Sequence, residues 1–243
     1  MKLTARQAAR LLGVSETKIY RWVDDGEIPF TMVHHRPLFH RVELLEWAMS
    51  LELPLPVELR EGGEPLLLTS ALERGGGGTG GAGGTGEAGE TGGTGGTIDV
   101  RLEELAEELP ALSPPERELI RAVIAARSDQ MLVVRAADRI AVPRASSPLI
   151  CPGTPGLVLL RWAARRPFVV RDAPVDAVFL IAAPTIRRHH ELLSRMSLAL
   201  HDRAFRAAAR QTGRFAEVVA EARRWEQELA TGRAAGLAPG AAP

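Results

Sequence analysis

Residues 4–26, TARQAARLLGVSETKIYRWVDDG, hold two helix starts and two helix stops in one short run. Thr4 and Gln7 have the spacing of a capping box, in which a hydroxyl and an amide each satisfy a free backbone donor at a helix N-terminus. Ala8, Leu11 and Leu12 then share one helical face, and Gly13 is placed to stop the helix as a C′ residue. Ser15 is a good N-cap for a second helix, predicted from Glu16 to about Asp25, with Ile19, Trp22 and Val23 inward and Gly26 as its stop. So short a connection between two helices is helix-turn-helix geometry. Beyond it, Pro29–Phe39 mixes β-formers with a turn candidate around His34–Pro37, which predicts a hairpin or wing. Val42, Leu44, Leu45 and Trp47 predict a third helix.

The segments Leu3-Thr4-Ala5, Ala8–Ser15, Ile19–Trp22, Gly26–Pro29 and Leu44–Trp47 together resemble the excisionase-type, MerR-related winged-helix family over nearly all of residues 1–49. The resemblance implies DNA binding, with the second helix in the major groove and the wing beside it. Ser15 stands at the start of that helix, and its outward positions Thr17, Lys18, Tyr20 and Arg21 are candidates for phosphates or base edges. His34, His35 and Arg36 fall where a wing would touch the DNA backbone. Trp22 and Trp47 read as core residues. No metal site is expected from His34, His35 and His40, because adjacent residues of a wing face opposite ways and chelate poorly. Some small folds of this family bind protein instead of DNA, which is the competing reading of this segment.

The whole chain has 243 residues, which at about 150 per domain leaves room for one large or two small domains. Its 45% apolar and 25% charged content is that of a globular protein. The single cysteine, Cys151, excludes an internal disulfide framework and a Cys-based zinc site. No apolar run approaches the roughly 18 residues of a membrane span, and Met1–Thr4 lacks a signal peptide's apolar core, so a cytoplasmic protein without membrane contact is expected. A formal net charge of zero conceals an asymmetry: residues 1–50 balance at +1, residues 51–130 at −9 and residues 131–243 at +8. A local basic patch can therefore face a polyanion. Of the 24 glycines, 14 lie between Gly75 and Thr97; this tract has no apolar side chain larger than Ala and is expected to be a flexible coil.

In the C-terminal part, strand-like runs fall at Thr97–Val100, Met131–Val134, Ile140–Val142, Gly156–Leu160 and Ala177–Ala183. Helical patterns fall at Leu102–Leu109, Pro115–Arg127, Ile186–Leu200 and Phe215–Glu228. The mixture predicts an α/β fold, a sheet with helices over both faces, joined to the small mostly helical N-terminal domain.

Phe179–Pro184, His189, Leu192-Leu193 and Met196–Leu200, with Ile140–Pro143 upstream, resemble the type 2 enzyme IIA domains of the bacterial phosphotransferase system, the mannitol, fructose and nitrogen-regulatory group. The resemblance implies a phosphocarrier whose acceptor histidine follows the proline of the Ile140–Pro143 strand. Here that position is Arg144, a guanidinium that stays protonated and cannot attack phosphorus. The family's Gly- and Thr-containing turn before the strand is also absent from Val133–Arg139. The expectation is therefore a domain that keeps the fold without phosphotransfer, with no catalytic residue and no cofactor. His189 matches the family's second histidine; the alternative is a phosphocarrier that uses His189 instead. His190 and His201 read as exposed helix residues. An anion held by Arg144 beside His189 is one further expectation, and an ordinary ion pair of Arg144 with a surface carboxylate is its competitor.

Pro65–Gly76 resembles the family's first helix and turn, with Thr69 as a candidate cap, and Thr97–Val100 its first strand, which makes the glycine tract a loop insertion. Lengthening such a loop costs only about 1.5 kcal/mol, so deleting Gly77–Gly96 is expected to leave stability intact. The domains expected are residues 1–50 for the winged helix-turn-helix, 51–64 for a linker, 65–231 for the IIA-like domain with a disordered insertion at 75–97, and 232–243 for a flexible tail. Expected partners are DNA, phosphotransferase-system carrier or regulatory proteins, and a second copy of the chain, since one winged helix covers a small footprint. The competing assignment makes both domains protein-interaction modules.

Overall fold

The computed structural model describes residues 2–53, 55, 67–79, 113–115, 117–118, 122, 132–163, 167–170 and 172–231. The strand expected at Thr97–Val100, the helix at Leu102–Leu109, most of the helix at Pro115–Arg127, most of the 51–64 linker and the 232–243 tail lie outside them.

The N-terminal unit runs β1 (Lys2–Thr4), α1 (Ala5–Leu12), α2 (Glu16–Asp24), β2 (Thr31–Val33), β3 (Arg36–His40) and α3 (Arg41–Ser50). Both halves of the capping box form: Thr4 N–H donates to Gln7 Oε1 at 2.9 Å and Gln7 N–H to Thr4 Oγ1 at 3.3 Å. Gly13 takes the left-handed conformation (φ 66°) that ends α1, as a residue without a Cβ does readily. Ser15 caps α2 through Lys18 N–H. Ala8, Leu12, Ile19, Phe39, Leu44 and Leu45 close the interior, and Trp22 meets Trp47 edge-on with ring centroids 4.9 Å apart. The strand β1 had no signal of its own in the sequence; it pairs antiparallel with β3, giving a sheet of order β1-β3-β2.

The C-terminal unit begins with α4 (Leu68–Gly75) and β4 (Gly77–Thr79) and resumes with β5 (Leu132–Arg135), β6 (Ile140–Pro143), β7 (Leu149–Ile150), β8 (Leu157–Trp162), β9 (Phe168–Val170), β10 (Ala173–Val175) and β11 (Ala177–Ala183). Three helices follow, α5 (Ile186–Ala199), α6 (Arg203–Arg210) and α7 (Phe215–Ala230). The main sheet has the order β4-β8-β11-β6-β5, with β7 also on β11; β11 runs parallel to β6 and β7 and antiparallel to β8. Every residue of β8 and β11 is buried, which is why both strands read as unbroken apolar runs instead of alternating patterns.

Alternate residues of these strands serve two separate cores. Val158, Leu160, Trp162, Phe179 and Ile181 pack with Leu68, Leu72, Met196, Phe205, Val218 and Trp225 of the four helices. Leu157, Leu159, Val178 and Leu180 pack with Leu149, Cys151, Phe168, Val170 and Val175. Helices α4–α7 thus cover one face, and the β9–β10 hairpin with the β7 segment packs on the other, while the helices expected at Leu102–Leu109 and Pro115–Arg127 lie largely outside the described residues.

The start of the glycine tract is also not coil. Gly75 closes α4 so near strand β8 that a Cβ there would collide with the Val158 carbonyl, and one on Gly77 would enter the Phe215 ring. Gly77–Thr79 pairs parallel with Leu160–Trp162. The strand that follows α4 is therefore β4, and removing Gly77–Gly96 would delete an edge strand of the main sheet. We expect that deletion to lower the denaturation midpoint of the chain in urea, opposite to what composition alone predicts.

Thr69, expected as a cap, lies inside the first turn of α4, and the capping group comes from α7. Glu226 accepts from Leu68 N–H at 2.6 Å, Thr69 N–H at 3.3 Å and Thr69 Oγ1 at 2.7 Å, and pairs with Arg195 at 3.4 Å. The Arg195 and Glu226 side chains are only 3% and 8% exposed. Glu226→Ala removes the acceptor of an entire helix start and leaves Arg195 buried without this partner; a loss of about 3–5 kcal/mol is expected in equilibrium unfolding, with Glu226→Gln losing less.

Candidate nucleic-acid interface and the contact behind it

Helix α2 buries Ile19 completely and turns Thr17, Lys18, Tyr20 and Arg21 outward, all exposed. The outward row is not made of free side chains. Lys18 Nζ lies 5.0 Å from the centre of the Trp22 ring, and Arg21 approaches Asp25 at 3.6 Å. Both arrangements are exposed and weak, so a phosphate can displace them at little cost. The Ser15 hydroxyl is committed to capping, which assigns it a positioning role in this state.

The wing is a two-residue hairpin in which Val33 faces Arg36. Its two central residues, His34 and His35, have φ of 47° and 60°. Two left-handed residues at the centre are the mark of a type I′ turn, usually built from Asn-Gly. Two histidines there hold a strained backbone and project exposed imidazoles beside the exposed Arg36. Phe30 and Met32, 36% and 55% exposed, add apolar surface at the wing that the sequence pattern did not single out.

His189 meets Arg144 at its backbone carbonyl, while the Arg144 guanidinium turns to a residue that nothing in its own stretch of sequence singles out. Arg144 Nε and Nη2 donate to Glu46 Oε1 and Oε2 at 3.0 and 3.2 Å, a bidentate pair between α3 and the turn after β6. Ser146 N–H donates to Glu46 Oε1 at 3.3 Å, and the Ser146 hydroxyl closes on the same oxygen. Burial raises the Glu46 carboxyl, but the hydrogen bonds from Arg144 and Ser146 and the Arg144 charge outweigh it and hold the group below its ordinary value.

Two buried imidazoles support this turn from behind. His189 Nε2 lies 3.3 Å from the Arg144 carbonyl, and His190 Nε2 lies 3.0 Å from the Ala145 carbonyl. Burial and the neighbouring His190 push His189 down to about 4, so its ring is neutral near pH 7. Burial lowers His190 as well. For a neutral ring to bond a carbonyl through Nε2, that nitrogen must carry the proton. His190 and His201 are therefore corrected from exposed helix residues: His190 is buried, and His201 is half-buried, with Nδ1 beside the Ser197 carbonyl and Nε2 beside the Glu52 carbonyl. His189 is 0% exposed and presents no edge to an incoming phosphoryl donor.

A second tie follows α3. Arg135 Nη2 pairs with Glu52 at 3.1 Å, and Asp138 lies between Arg135 and Arg206 at 3.5 and 3.4 Å. Met49 joins Val142, Leu193, Met196 and Leu200 in a small cleft beside Arg135. These ties between the two units do not involve Thr17, Lys18, Tyr20 or Arg21, so the outward row of α2 stays exposed in the docked arrangement.

A family model described as a helix-turn-helix domain matches residues 3–51 of the chain. No curated protein and no solved structure matches it. No helix among the described residues is long and apolar enough to cross a membrane.

Two outcomes are expected from this geometry. Because Glu46 titrates lower when docked than when free, the contact contributes its full stability above about pH 4.5 and loses it as pH falls through the docked value. Hydrogen-exchange protection of Arg41–Ser50, measured against the intrinsic rate at each pH, should fall over that acid range in the wild type and change less in Glu46→Gln. At the wing, replacing His34-His35 by Asn-Gly should stabilise the chain by about 0.5–1 kcal/mol in denaturant titrations, since both residues then suit the turn.

Proposed function

We propose that the chain is a DNA-binding regulator. Residues 1–50 act as a winged helix-turn-helix reading head, residues 51–64 as a linker, residues 65–231 as a phosphotransferase IIA-like module without phosphotransfer, and residues 232–243 as a tail. The observation that carries the reading is the outward row Thr17, Lys18, Tyr20 and Arg21 on a capped second helix, within a segment that matches a helix-turn-helix domain. In that role Lys18 and Arg21 meet phosphates or purine edges, Tyr20 supplies an apolar contact to a base methyl, and His35 and Arg36 reach the backbone beside the groove.

The second module senses a ligand or binds a protein, with components of the phosphotransferase system as candidate partners, and a second copy of the chain extends the footprint on DNA. Loss of phosphotransfer is supported by the ion-paired Arg144 at the acceptor position. The burial of His189 argues against its use as a substitute nucleophile.

The test is recovery and sequencing of genomic DNA bound by the purified chain. Lys18→Ala with Arg21→Ala should sharply reduce recovery and lower the slope of log K against log salt by about 2, one for each phosphate no longer neutralised. Unchanged recovery would assign the first domain to protein binding instead.

A further inference from the structure

The contact between Glu46 and the turn after β6 has the chemistry of an oxyanion receptor that is already filled. Four donors from a three-residue turn converge on one carboxylate: Arg144 Nε and Nη2, the Ser146 N–H and the Ser146 hydroxyl. The carbonyls of Arg144 and Ala145 in the same turn are held by His189 and His190, so the donors keep their aim whether or not the carboxylate is present. Ser146 is exposed, and the Arg144 and Glu46 side chains each remain 21% exposed, so ions in solution can reach the site.

The occupant comes from the other unit of the chain, and the chain is fastened separately just beyond it. Glu52 is held by Arg135 and, through its carbonyl, by His201, and it sits at φ 54° in the turn that ends α3. If Glu46 leaves the turn, this fastening and the non-directional apolar contact of Met49 remain, so the N-terminal unit would turn about Glu52 and not come free.

We propose that Arg144–Ser146 is a receptor for a small soluble oxyanion, a carboxylate or a phosphate, and that Glu46 is its built-in competitor. A bound ion displaces Glu46 and turns the N-terminal unit about Glu52. The binding stands on this contact alone; the swing also requires Met49 to slide in its cleft with Val142, Leu193, Met196 and Leu200, and its consequence, a reoriented reading head, rests on the proposed DNA-binding role. A tethered competitor acts at an effective concentration on the order of millimolar, so it weakens the apparent affinity for a free ion.

The experiment is titration calorimetry of the full chain with inorganic phosphate and, separately, citrate, with chloride adjusted to constant ionic strength. Removing the competitor in Glu46→Ala should tighten binding of at least one of the two ions by about tenfold or more, and Arg144→Met should abolish binding. Which ion binds tells a phosphate source from a carboxylate source. Spin labels on Glu16→Cys and Arg214→Cys, which are exposed while Cys151 is buried, report the swing. Their distance distribution in the wild type should shift, on saturation with the ion, towards the one Glu46→Ala shows without it. Glu46→Gln, nearly isosteric, takes the place of Glu46→Ala if the alanine variant does not fold. The proposal is overturned if the variant lacking the carboxylate binds neither ion more tightly than the wild type, if Arg144→Met binds as the wild type does, or if the distances do not respond to the ion.

Discussion

Strand β11 must be buried on both faces, and much of the C-terminal unit follows from that requirement. It lies between β8 and β6, and its alternate side chains enter two cores that do not share a residue. Because β6 runs parallel to it, the carboxyl ends of both strands arrive at the same edge of the sheet. One end carries the turn with Arg144 and Ser146; the other leads into α5, whose start is capped by Thr185 through Arg188 N–H at 3.2 Å. His189 and His190, in the first turns of that helix, are thereby brought to the carbonyls of residues 144 and 145. The chemistry at this edge is a product of strand direction as much as of residue identity.

The two units are tied by charge as well as by apolar packing. Glu46 and Glu52 hold Arg144 and Arg135 of the C-terminal unit, while the contiguous core runs from Leu3 through Met49 and Leu55 into the helices of that unit. Apolar burial is non-directional and sets proximity. The bidentate Arg144–Glu46 pair adds a defined register between α3 and the sheet edge. Such a pair is partly exposed and thus responsive to solvent composition in a way the apolar part is not.

What the sequence made legible was local. The caps of α1 and α2, the extent of β11 and the helices at α5 and α7 are encoded by residues within a few positions of one another, and the structure has them where those residues put them. The outward row of α2 was legible for the same reason. What was not legible depends on long-range pairing. Glu46 reads as one more charged position of a helix until its partner, 98 residues on, is placed beside it. Glu226 caps a helix start 158 residues earlier in the chain. His190 looks polar and exposed on its own helix, and only the approach of Ala145 buries it. Strand β1 is too short for a period to be read and exists because β3 offers it an edge.

The collision that a side chain at Gly75 or Gly77 would suffer changes how the glycine tract is to be handled in comparisons between chains. Low-complexity filtering discards such a run as a unit, and a linker designer would exchange it freely for serine. Its first residues instead obey the selection that acts on an interior: the Val158 carbonyl and the Phe215 ring forbid anything larger. In a collection of related chains the columns at 75 and 77 should stay glycine whatever becomes of the composition downstream. The core, in effect, reaches into a tract that looks like punctuation.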